Sequence, residues 1–162
     1  MNSSTPATHS SAPAPAPRVN YRRVSPGAFA AMLALQQVVN QSGLEHSLLE
    51  LVKLRASQIN SCAYCLDLHW RAAKQAGETD ERLYLLSAWA ESPAYTPRER
   101  AALRWTEDLT RLSPGHVTDD TFAEARAHFS ENELVQLTLA IVTINGWNRF
   151  SVGFKVPPRA AF

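Results

Sequence analysis

Cys62 and Cys65 are the only cysteines in the chain, two residues apart, and His69 follows the second thiol by four positions. Thiols this close can close an intramolecular disulfide or share a metal ion. Glu50, twelve positions before the first thiol, adds a carboxylate that could serve either chemistry. A c-type haem attachment needs histidine directly after the second cysteine, where this chain has Leu66. A closed zinc site needs four ligands, and Glu50, Cys62, Cys65 and His69 could make four. A plainer reading has two small apolar cysteines filling a helix face beside a hydrogen-bonded histidine. Spacing alone leaves redox, zinc and packing open.

The element that must position these groups is a helix. Asn60 and Ser61 can cap one starting at the thiols, and Gly77 can end it. At roughly 100° per residue, Cys62, Cys65 and His69 fall within about 60° of one another, with Tyr64, Asp67, Arg71 and Lys74 opposite. The sulfurs should therefore look inward, toward the core or a cleft. Burial raises a thiol's pKa, whereas a helix N-terminus stabilises the thiolate and lowers it. His69, one turn on, is a base able to decide between them.

The preceding helix carries Glu50. Ser47 and Glu50 have the spacing of a capping box ahead of Leu51, Val52 and Leu54. Glu50 also shares the less apolar side with Lys53 and Ser57, so a surface ion pair would account for it. The residues by themselves favour these structural roles for Glu50. Arg55 lies among Leu48, Leu51, Val52 and Ile59. It needs a carboxylate across an interface or an anionic ligand, or else snorkels at the rim, and it is given no catalytic part.

The run Glu50, eleven residues, Cys62, two residues, Cys65, three residues, His69 resembles the signature of the alkylhydroperoxidase D-like (AhpD-like) proteins within the carboxymuconolactone decarboxylase family. The phrases CAYCLDLHWRAAKQAGE and INGWNRFSVGFKVPP are similar to its peroxidase-like branch, and the resemblance runs from Arg22 to Pro158. It implies a thiol-dependent peroxidase or disulfide reductase in antioxidant defence. Cys65 would be the attacking thiolate, Cys62 the resolving thiol, His69 the acceptor of the Cys65 proton, and Glu50 the group that orients or recharges His69. The implied partners are a hydroperoxide substrate and a dithiol or thioredoxin- or lipoyl-type protein reductant, with no cofactor and no bound metal. The resemblance also implies a homotrimer or homohexamer. Helix-start arguments, in contrast, favour Cys62 as the thiol of lower pKa. Tyr64 departs from the best-studied type, which carries histidine directly before the second cysteine; a phenol of reference pKa about 10 is a poor base near neutrality, so weak peroxidase activity is expected. The rival is a non-enzymatic zinc-binding or stress-responsive oligomer using the same four residues. A lactone decarboxylase, as in the family's namesakes, has no need of vicinal thiols.

The rest of the chain reads as one helical domain. With 162 residues, 45% of them hydrophobic, a real core is possible. A net charge of +1 offers no basic stripe for nucleic acid and no polybasic membrane patch. Two cysteines and no apolar leader or span point to the cytoplasm. Residues 1–18 form a Pro/Ala/Ser-rich segment expected to be a disordered tail, in which His9 is incidental, and 19–162 the folded domain. Pro26 opens a helix to about residue 41 that is expected to pack rather than do chemistry. Thr79 caps a short helix, Thr96 and Glu99 form a capping box, and Ser113, Pro114 and Gly115 break the helix that follows. His116 sits in that loop; a helix over 119–129 turns Phe122, Ala125 and Phe129 inward and ends near His128. Ser130 and Glu133 cap a last helix, apolar on nearly every side, which is expected to be buried all round, with an oligomer contact as one means. Asn145, Asn148 and Arg149 interrupt it and need partners. The expected fold is an all-α bundle of six to seven helices, oligomeric, with no nucleotide site.

Overall fold

A computed structural model describes residues 16–112 and 116–158. Eight α-helices and one 3₁₀ turn make up the regular structure among these residues, with no strand. They are α1 (Tyr21–Val24), α2 (Pro26–Asn40), α3 (His46–Ile59), α4 (Ala63–Gln75), α5 (Asp80–Leu85), the 3₁₀ turn Leu86–Glu91, α6 (Pro97–Thr110), α7 (Asp119–His128) and α8 (Glu131–Gly153). The all-α expectation holds. The added helix is the four-residue α1, too short to show a period, and after Thr79 helix α5 gives way at Leu86 to a 3₁₀ turn within which Ala88 leaves helical geometry.

Local signals set most boundaries. Thr79 accepts from Arg82 N–H, and reciprocal capping boxes join Thr96 to Glu99 and Ser130 to Glu133. Gly77, at φ +92°, supplies the left-handed turn that ends α4. Ser47 does not cap. Helix α3 begins one residue earlier, behind Glu45, which leaves Ser47 and Glu50 inside the helix.

Helix α3 is the axis of the bundle. It packs against α4, α6, α8 and the 3₁₀ turn, and every residue from Leu48 to Ser57 is buried. One side, with Leu48, Leu49 and Val52, meets Trp105 of α6 and Leu137 and Ile141 of α8. The other, with Leu51 and Leu54, meets Leu83, Leu86, Trp89 and Leu103. Below them Ala56, Cys62, Cys65 and Ile144 form a third apolar group.

Within one chain it is α3 that is enclosed all round, while α8, expected to be buried with the help of an oligomer contact, keeps an uncovered stripe. Helix α8 buries Leu137, Ile141, Ile144 and Asn148 but leaves Val135 at 65% and Val142 at 55% exposure. In α7, Ala125 and Phe129 are buried as expected, while Phe122 is 50% exposed and tilts against Trp105. The expected break at Ser113, Pro114 and Gly115 lies outside the described residues, as does His9; His116 is exposed. Residues 1–15 of the expected tail also lie outside them. Arg18 donates its backbone N–H to Phe154 O at 2.8 Å. No helix among the described residues is long and apolar enough to cross a membrane.

Candidate functional site

Cys62 is itself the N-cap of α4, its Sγ accepting the Cys65 backbone N–H at 3.3 Å, in place of the expected Asn60 or Ser61. The turn that brings it there runs through Ser61, at φ +53°, a left-handed backbone that costs a non-glycine residue about 1–2 kcal/mol. Cys62 N–H then reaches Ser57 O at 3.0 Å. Asn60, freed from capping, donates through Nδ2 to Ala56 O, Asn145 Oδ1 and Asn148 Oδ1, each at 2.9 Å. Asn148 donates in turn to Ser57 Oγ at 3.0 Å. Asn145 and Asn148, which needed partners, thus fasten the thiol loop to α8, and Arg149 caps Asn145 O at 2.8 Å.

Cys62 and Cys65 are joined as a disulfide, with Cα atoms 5.3 Å apart, and both are almost wholly buried. The helical spacing explains the pairing, since residues three apart are neighbours on one face. Helix α4 packs on α3, and His69 thereby meets Glu50 across the interface, with Nδ1 and Oε2 2.8 Å apart. Lys53 Nζ donates to the other oxygen, Oε1, at 2.8 Å, and His46 Nε2 lies 3.8 Å from that same atom. Glu50 is 2% and Lys53 5% exposed, so the pair is buried and not the surface pair expected. Burial pushes the Glu50 carboxyl up, but the His69 and Lys53 contacts outweigh it and hold the group at about 2. Glu50 is therefore a standing anion near neutrality.

A cleft of about 330 Å³ opens beside the disulfide. Cys65, His69 and Glu50 line it, whereas Cys62 does not. Tyr21 of α1, Phe29 and Leu33 of α2, Tyr64 of α4 and Trp147 of α8 supply aromatic and aliphatic walls. Gln36 and Asn40 add amides that are already engaged, Gln36 donating to Asn40 Oδ1 at 2.9 Å and accepting from Trp147 Nε1 at 3.2 Å. Helix α2, expected only to pack, is a wall of the site. A cleft that is apolar apart from a few convergent polar groups is the usual form of a small-molecule site.

Two groups escaped the reading of the residues. Lys53 was placed near Glu50 but on the surface, because pattern alone cannot show that α3 is enclosed. Arg22 and Tyr21 lie far from the motif in sequence and reach the cleft only through the turn between α1 and α2. Arg55 finds its carboxylate within the same chain: Nε donates to Glu107 Oε1 at 2.7 Å and one terminal nitrogen to Gln58 at 3.0 Å. It is buried and away from the cleft, which corrects the expectation of a rim, an interface or a ligand. Among the described residues no group of three or more His, Cys, Asp and Glu side chains is arranged to hold a metal ion. Both Glu50 oxygens are turned to His69 and Lys53, which leaves the zinc alternative without a free carboxylate.

Comparison with known proteins identifies the family and the fold. The model of the carboxymuconolactone decarboxylase family matches residues 26–108. The uncharacterized protein YdfG of Bacillus subtilis is 38% identical over 135 residues, 83% of this chain and 92% of that protein. A solved structure from Agrobacterium tumefaciens, of a protein of unknown function offered as a candidate antioxidant defence protein AhpD, is 44% identical with a TM-score of 0.88, covering 90% of this chain and 100% of that one. An uncharacterized peroxidase-related protein with an AhpD core from Ralstonia eutropha shares the fold at 20% identity, with a TM-score of 0.77 over 89% of this chain and 77% of that one.

Proposed function

The chain belongs to the carboxymuconolactone decarboxylase family and has its AhpD-like all-α fold, and on that footing we propose that it is a dithiol peroxidase that reduces organic hydroperoxides. The observation that carries the reading is the asymmetry of the cysteine pair: Cys65 shares an apolar cleft with His69, while Cys62 lies behind it within disulfide reach.

In the reduced enzyme the Cys65 thiolate attacks the distal peroxide oxygen. The O–O bond breaks, Cys65 becomes a sulfenic acid, and the alkoxide leaves as the alcohol after taking one proton. Cys62 then attacks the sulfenic sulfur, releasing water and closing the disulfide present in this structure. A dithiol reductant of thioredoxin or lipoyl type reopens it by exchange, supplying two electrons and two protons. The position of Cys65 in the cleft supports it as the attacking sulfur, although Cys62 stands nearer the helix start.

His69 moves the proton. With Nδ1–H donated to the Glu50 carboxylate, Nε2 is the nitrogen left to take the Cys65 proton and return it to the departing alkoxide. Glu50, held at about 2, orients and does not recharge His69, because a carboxylate of that pKa takes up almost no proton near neutrality. Glu50 is thus a positioning residue. A homotrimer or homohexamer would cover the exposed stripe of α8.

The test is peroxide consumption with a dithiol donor, read together with mass spectrometry of the peptide spanning 62–65. Cys65→Ser abolishes turnover. Cys62→Ser stops after one peroxide per chain and leaves a sulfenic acid that a dione trap captures. Unchanged turnover in both variants would falsify the proposal.

A further inference from the structure

Among the side chains that line the cleft, Arg22 carries a full charge that meets no carboxylate among the described residues. Glu50, the cleft's carboxylate, is already shared by Lys53 and His69. Arg55, Arg82, Arg98 and Arg111 each hold a carboxylate, whereas Arg22 reaches none among the described residues. Its guanidinium is nonetheless held in place. It lies 5.1 Å from the centre of the Phe29 ring, and one nitrogen donates to Tyr64 Oη at 3.4 Å. That long bond and a second one, to the Tyr21 side chain, engage part of the fork of five N–H donors, and the N–H groups left over can take a carboxylate. Arg22 is exposed and lines both the cleft and the shallow depression beside it, which puts it at the rim. The lining it shares with Cys65 and His69 is mostly aromatic and aliphatic, with the amides of Gln36 and Asn40 and the hydroxyl of Ser151 besides.

A molecule complementary to this site has an apolar ring or short chain and one anionic head. We propose that Arg22, steadied by Tyr64 and Phe29, is an anion receptor that selects hydroperoxides bearing a carboxylate, docking that group at the rim while the peroxide faces Cys65. Tyr64, which stands where the best-studied relatives have a histidine, then serves as the prop for this cation and not as a base. The inference rests on the peroxidase reading for what reacts, but not for what binds.

Two measurements separate these parts. The first is calorimetry on the oxidised, unreactive protein with 4-isopropylbenzoate and its neutral amide. The benzoate binds about tenfold more tightly, as a charge-assisted bidentate contact provides, and Arg22→Gln erases the difference while Arg22→Lys keeps part of it. The second is the ratio of kcat/KM for cumene hydroperoxide bearing a para-carboxylate to that for cumene hydroperoxide itself, which falls about tenfold in Arg22→Gln. Equal binding of benzoate and amide, or a ratio that Arg22→Gln leaves unaltered, overturns the inference. A protein that consumes neither peroxide yet binds the benzoate through Arg22 overturns the peroxidase reading and leaves the anion receptor standing.

Discussion

Helix α3 carries two buried ionic groups less than two turns apart, and they differ in what remains unsatisfied. Glu50 meets Lys53 and His69 beside a cleft; Arg55 meets Glu107 away from it. At the second, both carboxylate oxygens are answered by cations or a ring N–H. Glu107 Oε1 accepts from Arg55 Nε and Trp89 Nε1, each at 2.7 Å, and Oε2 accepts from Arg111 at 2.9 Å. Burial pushes the Glu107 carboxyl up, and these contacts outweigh it and hold it below the usual carboxylate range. At the first, both Glu50 oxygens are likewise engaged, but its partner His69 lines the cleft, and among the described residues its Nε2 meets no hydrogen-bond partner. A closed ionic cluster joins helices. One that ends in a half-used imidazole at a cleft can also move a proton.

That contrast predicts opposite phenotypes for substitutions on a single helix. The largest effect is expected at the open end: His69→Asn lowers the rate of disulfide formation by peroxide about 10²- to 10⁴-fold, the usual worth of a general base, in stopped-flow intrinsic fluorescence. Glu50→Gln follows with a loss of about 10²-fold, since the amide no longer fixes the His69 tautomer. A rate within about threefold of wild type would remove Glu50 from the site. At the closed end Arg55→Met lowers unfolding free energy by about 3 kcal/mol in urea titration, because the partly buried Glu107 is left with one cation fewer. Activity per folded molecule stays within about twofold, and a larger loss there would blur the distinction between the clusters.

The smallest effect is a pH limb. A carboxyl held at about 2 in the fold, against an ordinary 4.5, stabilises the protein fully above about pH 4.5. That contribution is lost as pH falls from about 4.5 through about 2. Removing Lys53 as a partner raises the folded-state value, so Lys53→Met moves the lower end of this window upward. Unfolding curves at stepped pH for wild type and Lys53→Met check the sign, and coincident acid limbs would separate Lys53 from Glu50.

Much of this molecule was legible along the chain. Capping boxes at Thr96 and Ser130, the cap at Thr79 and the stop at Gly77 are interactions within four residues, so residue type and order suffice to place them. The alignment of Cys62, Cys65 and His69 on one face is likewise a property of a single helix. Glu50 is different. Its spacing from the thiols matched a known signature, but residues alone made it a cap with a surface partner. The error at Ser47 shows why: a capping-box spacing inside an enclosed helix looks the same as one at its start.

The enclosure of α3 was hidden in the sequence for a related reason. Helix α8 is the more apolar, yet it keeps Val135 and Val142 at the surface, while α3 takes Glu50, Lys53 and Arg55 into the interior. Hydrophobicity says what a helix tolerates around it, and enclosure depends on how many neighbours pack on it. The charges of α3 are tolerated because α4 and α6 bring His69 and Glu107 to meet them.

What the chain settled by itself was the longer helices, the cysteine pair and the imidazole one turn away, because hydrogen bonds and side-chain neighbours within a helix are short-range. What only the packing of helices decided was which sulfur faces the cleft, that Glu50 is a buried anion bridging Lys53 and His69, and that Arg22 from the first turn stands over the site. Apart from the Glu50–Lys53 pair, whose burial alone needs the neighbouring helices, those are contacts between segments distant in sequence, and their geometry exists only once the helices are docked.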